Sequence, residues 1–245
     1  MSDRANHLRE RWQRTIAVLR APRVRIEVYG GDEARYVYRL YTARHPRFVI
    51  TQHKRWGVAL ISLPGSFEDY LRGRSKTALR QNRRRAMDAG FRYALVAPQD
   101  HLDEILEVNR SAPMRQGRPM AATYIDREQM IKTFEGRTTL HAILDSRGRV
   151  RAYALVAVIG DAFVFWKILG HADDLGHGTM YLLVSEVIRG YIDLRRATGS
   201  PNWAMYDTFW GASRGLAYFK ERAGFRPYTV RWALVDHGPD RSSRP

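Results

Sequence analysis

The sequence predicts an α+β fold: a mixed, mainly antiparallel twisted sheet with helices on both faces. Three observations carry this. TLHAILD, VRAYALVAVI and AFVFWKILG follow one another with Ser-Arg-Gly and Gly-Asp turns between them, which makes a three-stranded antiparallel meander. Directly after it, Met180, Leu183, Val184, Val187, Ile188 and Tyr191 recur at helical spacing, a long apolar stripe that needs a sheet to cover it. WAMYDTFW, SRGLAYFKERAG and FRPYTVRWALV then read as strand, helix and strand. From residue 91 onward the order is β, α, α, β, β, β, α, β, α, β, which packs as a sheet with helices on both sides.

The earlier elements follow from the same signals. Residues 3–20 carry Leu8, Trp12, Ile16 and Leu19 on one stripe, and Pro22 stops that helix. RVRIEVYG, ARYVYRLYTA, FVITQ and WGVALISL, separated by Gly-Gly-Asp and His-Pro turns, predict a small antiparallel strand set over residues 24–63. Ser66, with Asp69 three residues on, predicts a helix N-cap, and that helix runs to Ala89 before Gly90 ends it. A strand FRYALVA, a helix over 100–109, a polar loop SAPMRQGRPM and a helix over 126–134 complete the list. Three units are expected: residues 1–90 with the N-terminal helix, strand set and basic helix; a domain over 91–237; and a flexible polar tail over 238–245.

Bulk composition narrows the function. With 245 residues and 44% hydrophobic content the chain is long enough for a sizeable core. No apolar run approaches the ~20 residues of a membrane span, and the opening residues are polar and charged, so a cytoplasmic protein is expected. Zero cysteines exclude disulfides, a cysteine nucleophile and thiolate metal sites. The eight histidines show no ligand spacing, so no metal is expected. The formal charge of +16 is the strongest bulk signal, and it points to a polyanion or a phosphorylated cofactor as partner.

That charge is concentrated. Arg72, Arg74, Lys76, Arg80, Arg83, Arg84 and Arg85 stand in fourteen residues with no acidic residue among them. Lys76, Arg80, Arg83 and Arg84 fall at i, i+4, i+7 and i+8, which places four cations on one helical face and leaves Phe67, Leu71, Ala78 and Ala86 for the core. A wide basic rail suits the phosphates of a folded RNA better than one small cofactor.

Two local patterns give the C-terminal part its resemblance. Leu175-Gly176-His177-Gly178-Thr179-Met180 lies between the meander and the striped helix, and Tyr218-Phe219-Lys220-Glu221-Arg222-Ala223-Gly224-Phe225 lies on the last helix. Over residues 91–235 the chain resembles the GNAT superfamily of N-acyltransferases, and within it the FemAB-like branch that takes activated amino acids from tRNA. The resemblance implies that Gly176, His177, Gly178 and Thr179 form a donor and phosphate-binding loop at a helix N-terminus. The sequence departs from the pattern at Asp173, where an Arg or Gln belongs, and Asp174 follows it; two carboxylates oppose a pyrophosphate. The resemblance also implies that Lys220 polarises the acyl carbonyl, an ammonium beside a developing oxyanion.

The reading is therefore an amide-forming transferase using aminoacyl-tRNA, with no tightly bound cofactor and a small or carrier-bound amine as acceptor. An acyl-CoA-dependent N-acyltransferase and a non-catalytic RNA-binding protein are the alternatives. Asp207, desolvated by Tyr206 and Trp210, is the expected general base, with Glu186 as the second candidate. Arg115 and Arg118, on a glycine and proline turn, together with Trp210 are expected to hold an anionic acceptor or the RNA end. Gly211-Ala212-Ser213-Arg214-Gly215 matches a hydrolase nucleophile elbow, but only Asp236 and His237 follow as partners, so Ser213 reads more simply as a helix cap.

Overall fold

The computed structural model describes residues 16, 20–45, 52–115, 118–209 and 212–236. The expectations for residues 3–15, Trp210, His237 and the tail lie outside these.

In chain order the elements are β1 (Arg23–Val28), α1 (Asp32–Thr42), β2 (Val58–Ser62), α2 (Phe67–Leu71), α3 (Thr77–Asp88), β3 (Arg92–Val96), α4 (Leu102–Arg110), β4 (Met114–Arg115), β5 (Arg118–Pro119), α5 (Ala122–Ile125), α6 (Arg127–Phe134), β6 (Leu140–Leu144), β7 (Val150–Val158), β8 (Ala162–Gly170), α7 (Thr179–Thr198), β9 (Trp203–Thr208), α8 (Arg214–Ala223) and β10 (Arg226–Leu234). Eight strands make one sheet in the order β1-β10-β2-β9-β8-β7-β6-β3, while β4 and β5 form a separate two-stranded ribbon. Only β1–β10 and β8–β9 are parallel; the other neighbours in the sheet are antiparallel. The architecture is thus the mixed, mainly antiparallel sheet that the sequence predicts.

Helices cover both faces. On one side α7 buries Leu182, Leu183, Val184, Val187, Ile188 and Ile192 with Phe163 and Phe165 of β8, and α2, α3 and α8 pack around it. On the other side, α1 packs against β1, β2 and β10 through Ala34, Val37 and Tyr41. At the far end of that face, α4 and α6 contribute Ile105, Val108, Met130 and Phe134. Caps follow the expected chemistry. The Ser66 hydroxyl accepts from the Asp69 amide, and the Asp126 carboxylate accepts from the Gln129 amide.

Three expectations for the first 90 residues are corrected. ARYVYRLYTA is helical, because the positions that find burial are Ala34, Val37 and Tyr41, at 3.6-residue spacing, and because Asp32 and Glu33 complement the helix N-terminus. β1 runs parallel to β10, from Arg23 opposite Thr229 to Val28 opposite Leu234, and β2 is inserted between β10 and β9. The N-terminal strands therefore complete the main sheet instead of forming their own antiparallel set, and the sheet crosses the boundary at residue 90. The helix expected over 66–89 is broken at Arg72-Gly73, where Gly73 has φ +98°, a left-handed conformation that glycine adopts without strain.

Candidate active site

The sheet opens at one place. β8 and β9 are paired only from Ala162 opposite Trp203 to Val164 opposite Met205. Beyond that, β8 stays with β7 as far as Gly170 opposite Ala152, whereas β9 follows β2 to Thr208 opposite Val58. The two strands part because each keeps its other neighbour. A split is left, with residues 165–167 on one wall and 206–208 on the other. The register shift at Leu155/Val156 gives β8 one extra residue, a bulge, and sets Lys167 opposite Leu155.

Lys220 of α8 reaches this split. It is fully buried, and its Nζ donates to the Thr208 carbonyl at 2.8 Å. The ammonium stands 4.6 Å from the centre of the Tyr206 ring and 5.8 Å from that of Phe209. Burial pushes its pKa down to about 8; the Asp207 carboxylate works against that shift and Lys54 works with it. A surface position for this lysine is excluded by its burial.

Asp207 differs from its expectation. It is the only non-glycine among the described residues with positive φ, at +51°, so the backbone turns as β9 ends. Its carboxylate forms a close ion pair with Lys54, and the side chain is 56% exposed. It is held by a cation and is exposed, not desolvated by Tyr206. Burial, reinforced by the Asp207 charge, keeps the Tyr206 phenol protonated well above its usual range. His53 lies near the same pair; partial burial, then Lys54, lower its pKa. Glu186 is bound to Arg83 and is not part of the split.

On the opposite side of the sheet the split is lined by Lys167, whose ammonium lies 4.3 Å from the centre of the Tyr124 ring and donates to the Thr133 hydroxyl at 3.2 Å. Trp166 packs beside Tyr36 of α1, ring centres 6.1 Å apart. Sequence reading missed Lys54, His53, Tyr124 and Lys167. For Lys167 a signal existed: it is a charged residue inside the apolar run AFVFWKILG.

The glycine loop is packed on its Gly178 side by the protein itself. A 3-10 turn over Ala172–His177 leads into α7, and Gly178 has φ +84°. A Cβ on Gly178 would lie 2.3 Å from the Asn82 carbonyl oxygen, so the close approach that this glycine permits is made by the backbone of α3. Arg85 donates to the Gly176 carbonyl at 3.2 Å, and the buried Thr179 donates to the Asp174 carbonyl at 3.1 Å. His177 packs beside Phe91. Asp174 is buried and held by Arg151 at 2.6 Å, so of the two carboxylates only Asp173 projects to solvent.

The expected four-cation face is also corrected. Lys76 donates to the Ala223 carbonyl at 2.8 Å and lies 4.1 Å from the centre of the Tyr70 ring; burial first, then Arg226, pushes it down to about 7. Arg83 pairs with Glu186 of α7 at 2.5 Å, both side chains largely buried. Helical spacing puts these two among the cations, but the inner side of α3 finds a carbonyl and a carboxylate there. Arg72, Arg74, Arg80, Arg84 and Arg85 remain exposed. Arg115, expected to hold an anion, spends one terminal nitrogen on the Val108 and Gly170 carbonyls and the Ser111 hydroxyl, while Arg118 is exposed. Ser213 accepts from the Leu216 amide at 3.3 Å, a helix cap. Among the described residues no cluster of three or more His, Cys, Asp or Glu has a metal-holding arrangement, and no helix is long and apolar enough to cross a membrane.

No family model and no curated protein matches the chain. Solved structures similar to it include L-PGS from Bacillus licheniformis, 13% identical over 69% of this chain and 57% of that one, TM-score 0.46. A Trypanosoma brucei acetyltransferase is 14% identical over 60% of this chain and 99% of that one, TM-score 0.39. A GCN5-related N-acetyltransferase-like protein from Streptococcus suis is 18% identical over 61% of this chain and 52% of that one, TM-score 0.36. The chain spans a little over half the length of the Bacillus licheniformis protein. With TM-scores below 0.5 these likenesses carry no weight beside the strand pairings themselves.

Proposed function

We propose that the chain is an acyltransferase that forms an amide, moving an aminoacyl group from aminoacyl-tRNA to an amine at the split between β8 and β9. The observation that carries this is the fully buried Lys220, whose ammonium is set at the split with a carbonyl and an aromatic face as its neighbours. An ammonium of this kind is costly to bury, and the chemistry it suits is the stabilisation of an oxyanion. The amine attacks the ester carbonyl and the oxyanion develops beside Lys220 Nζ. The carbon–oxygen bond to the ribose then breaks, and a proton lost by the amine ends on the departing ribose oxygen. The amine's deprotonation is assigned to Asp207, the carboxylate at the end of β9 beside the split.

The donor is read from Arg72, Arg74, Arg80, Arg84 and Arg85, five exposed cations on neighbouring segments that suit a phosphodiester backbone. Acyl-CoA is the second donor weighed, and the exposed Asp173 carboxylate beside the glycine loop speaks against it, because it opposes a pyrophosphate there. The test incubates the protein at low salt with charged tRNA or with acetyl-CoA, each with a panel of amines. The expected result is deacylation of tRNA that depends on the amine. Acetylation of the amines from acetyl-CoA, with charged tRNA left intact, would reverse the donor assignment.

A further inference from the structure

Cations inside this fold are treated in two ways. Arg83 meets Glu186, and Arg151 meets Asp174 and Glu107, whereas Lys76 and Lys220 meet a backbone carbonyl and an aromatic ring. Lys167 is of the second kind, but among the described residues it has no backbone carbonyl as partner. It is half-buried on β8, it sits over the Tyr124 ring, and the Thr133 hydroxyl is its hydrogen-bond acceptor. Among the described residues no carboxylate is paired with it.

Its placement matters as much as its charge. The β8 bulge sets Lys167 opposite Leu155, on the sheet face covered by α4 and α6, whereas Lys220 comes from the face covered by α7 and α8. Tyr124, beside Lys167, lies near enough to Tyr206, beside Lys220, for the charge of one to bear on the other, so the two ammonium groups stand on opposite faces of the same gap in the sheet. Behind Lys167 the fully buried Tyr153 donates its hydroxyl to Asn109 at 2.7 Å and lies near Arg115, whose buried Nε has no hydrogen-bond partner. A half-buried ammonium with a hydroxyl acceptor and an aromatic face as neighbours, and no acid set against it, has the makings of an anion subsite.

We infer that the Lys167 side of the split binds an anionic group, a carboxylate or a phosphate monoester, carried by the acceptor amine. This rests on the transferase reading for the word acceptor, but the subsite itself is tested by binding alone. Isothermal titration would compare glycine with glycinamide and phosphoethanolamine with ethanolamine, using wild type, Lys167→Met, Lys167→Arg and Lys220→Met. In wild type the anionic member of at least one pair binds about tenfold tighter or more, the worth of one charge-assisted hydrogen bond. Which pair shows the larger ratio tells carboxylate from phosphate. Lys167→Met abolishes the preference, Lys167→Arg keeps it, and Lys220→Met keeps it because that ammonium serves the other face. Thermal melts of the same samples identify a variant that has lost its fold, and Lys167→Arg against wild type then carries the comparison. Equal affinities within both pairs, no binding of either anionic probe, or a preference that survives in folded Lys167→Met overturns the inference. A clear binding preference without transfer from either charged tRNA or acetyl-CoA would instead sink the transferase reading and leave the subsite standing.

Discussion

The head of α7 and the end of α8 are the two places where the sequence resembles acyltransferases, and the fold treats them oppositely. At the head of α7, Gly178 lies against the Asn82 carbonyl, Arg85 holds Gly176, and Thr179 turns inward to Asp174, so the protein itself packs one side of the loop. At the end of α8, Lys220 is as deeply buried as Leu183 or Val187, yet its ammonium lies where β8 and β9 part. A glycine spacing says that some backbone comes close, and the partner can be the protein's own. A buried ammonium at a gap in a sheet demands a use, because its desolvation opposes folding.

The comparison can be broken on its closed side first. Arg83 ties α3 to Glu186 of α7, and Arg83→Gln leaves that largely buried carboxylate only the half-exposed Arg189; a loss of ~3 kcal/mol in chemical denaturation is expected, the low end for a broken buried pair. Gly178→Ala adds a Cβ against backbone at a left-handed residue and is expected to cost ~2–5 kcal/mol, whereas Gly176→Ala, with open space around it, stays within ~0.5 kcal/mol. If Gly178→Ala were well folded but had lost donor binding, the loop would be a ligand site after all. A smaller effect is expected from Arg72, Arg74 and Arg84 changed together to Gln. These are exposed, with only surface partners in Asp69 and Asp88 for Arg72 and Arg84, so stability holds while tRNA affinity falls. Its salt dependence falls too, the logarithmic slope shrinking by about one for each phosphate that is no longer neutralised. An unchanged salt slope would remove these arginines from the donor surface.

The mildest perturbation is pH. Lys220 is held at about 8 against an ordinary 10.5, so the unfolded chain binds this proton more tightly in that window. Its contribution to stability therefore rises as pH climbs from about 8 to about 10.5, because the cost of the buried charge disappears. Transfer should do the reverse, falling as pH rises through about 8 and the ammonium is lost. Rate and melting temperature that moved together across this range would contradict the role given to the charge.

Much of the sheet was legible in the sequence because its signals are local. The meander of β6, β7 and β8, the stripe of α7 and the caps at Ser66 and Ser213 depend on residues within a few positions of one another. What escaped is non-local. The β-branched and aromatic content of ARYVYRLYTA favours a strand, and only burial of Ala34, Val37 and Tyr41 against β10 and its neighbours makes it a helix. Nothing near β1 announces a parallel partner two hundred residues away. In the site, Lys220 was read from its pattern. Lys54 and Lys167 were not, since their importance comes from where Asp207 and Tyr124 are brought. The basic segment shows the same limit: composition finds seven cations, but the Glu186 and Ala223 partners that draw two of them inward lie more than a hundred residues further on.

The central claim is tested most directly by the rate of amine-dependent deacylation of charged tRNA in Lys220→Met, measured beside its melting temperature at pH 7. Loss of the oxyanion's ammonium is expected to lower the rate by about 10²–10³-fold, with the fold at least as stable as wild type once a buried charge is gone. A folded Lys220→Met protein that transfers at the wild-type rate would show that the ammonium in the split takes no part in the chemistry.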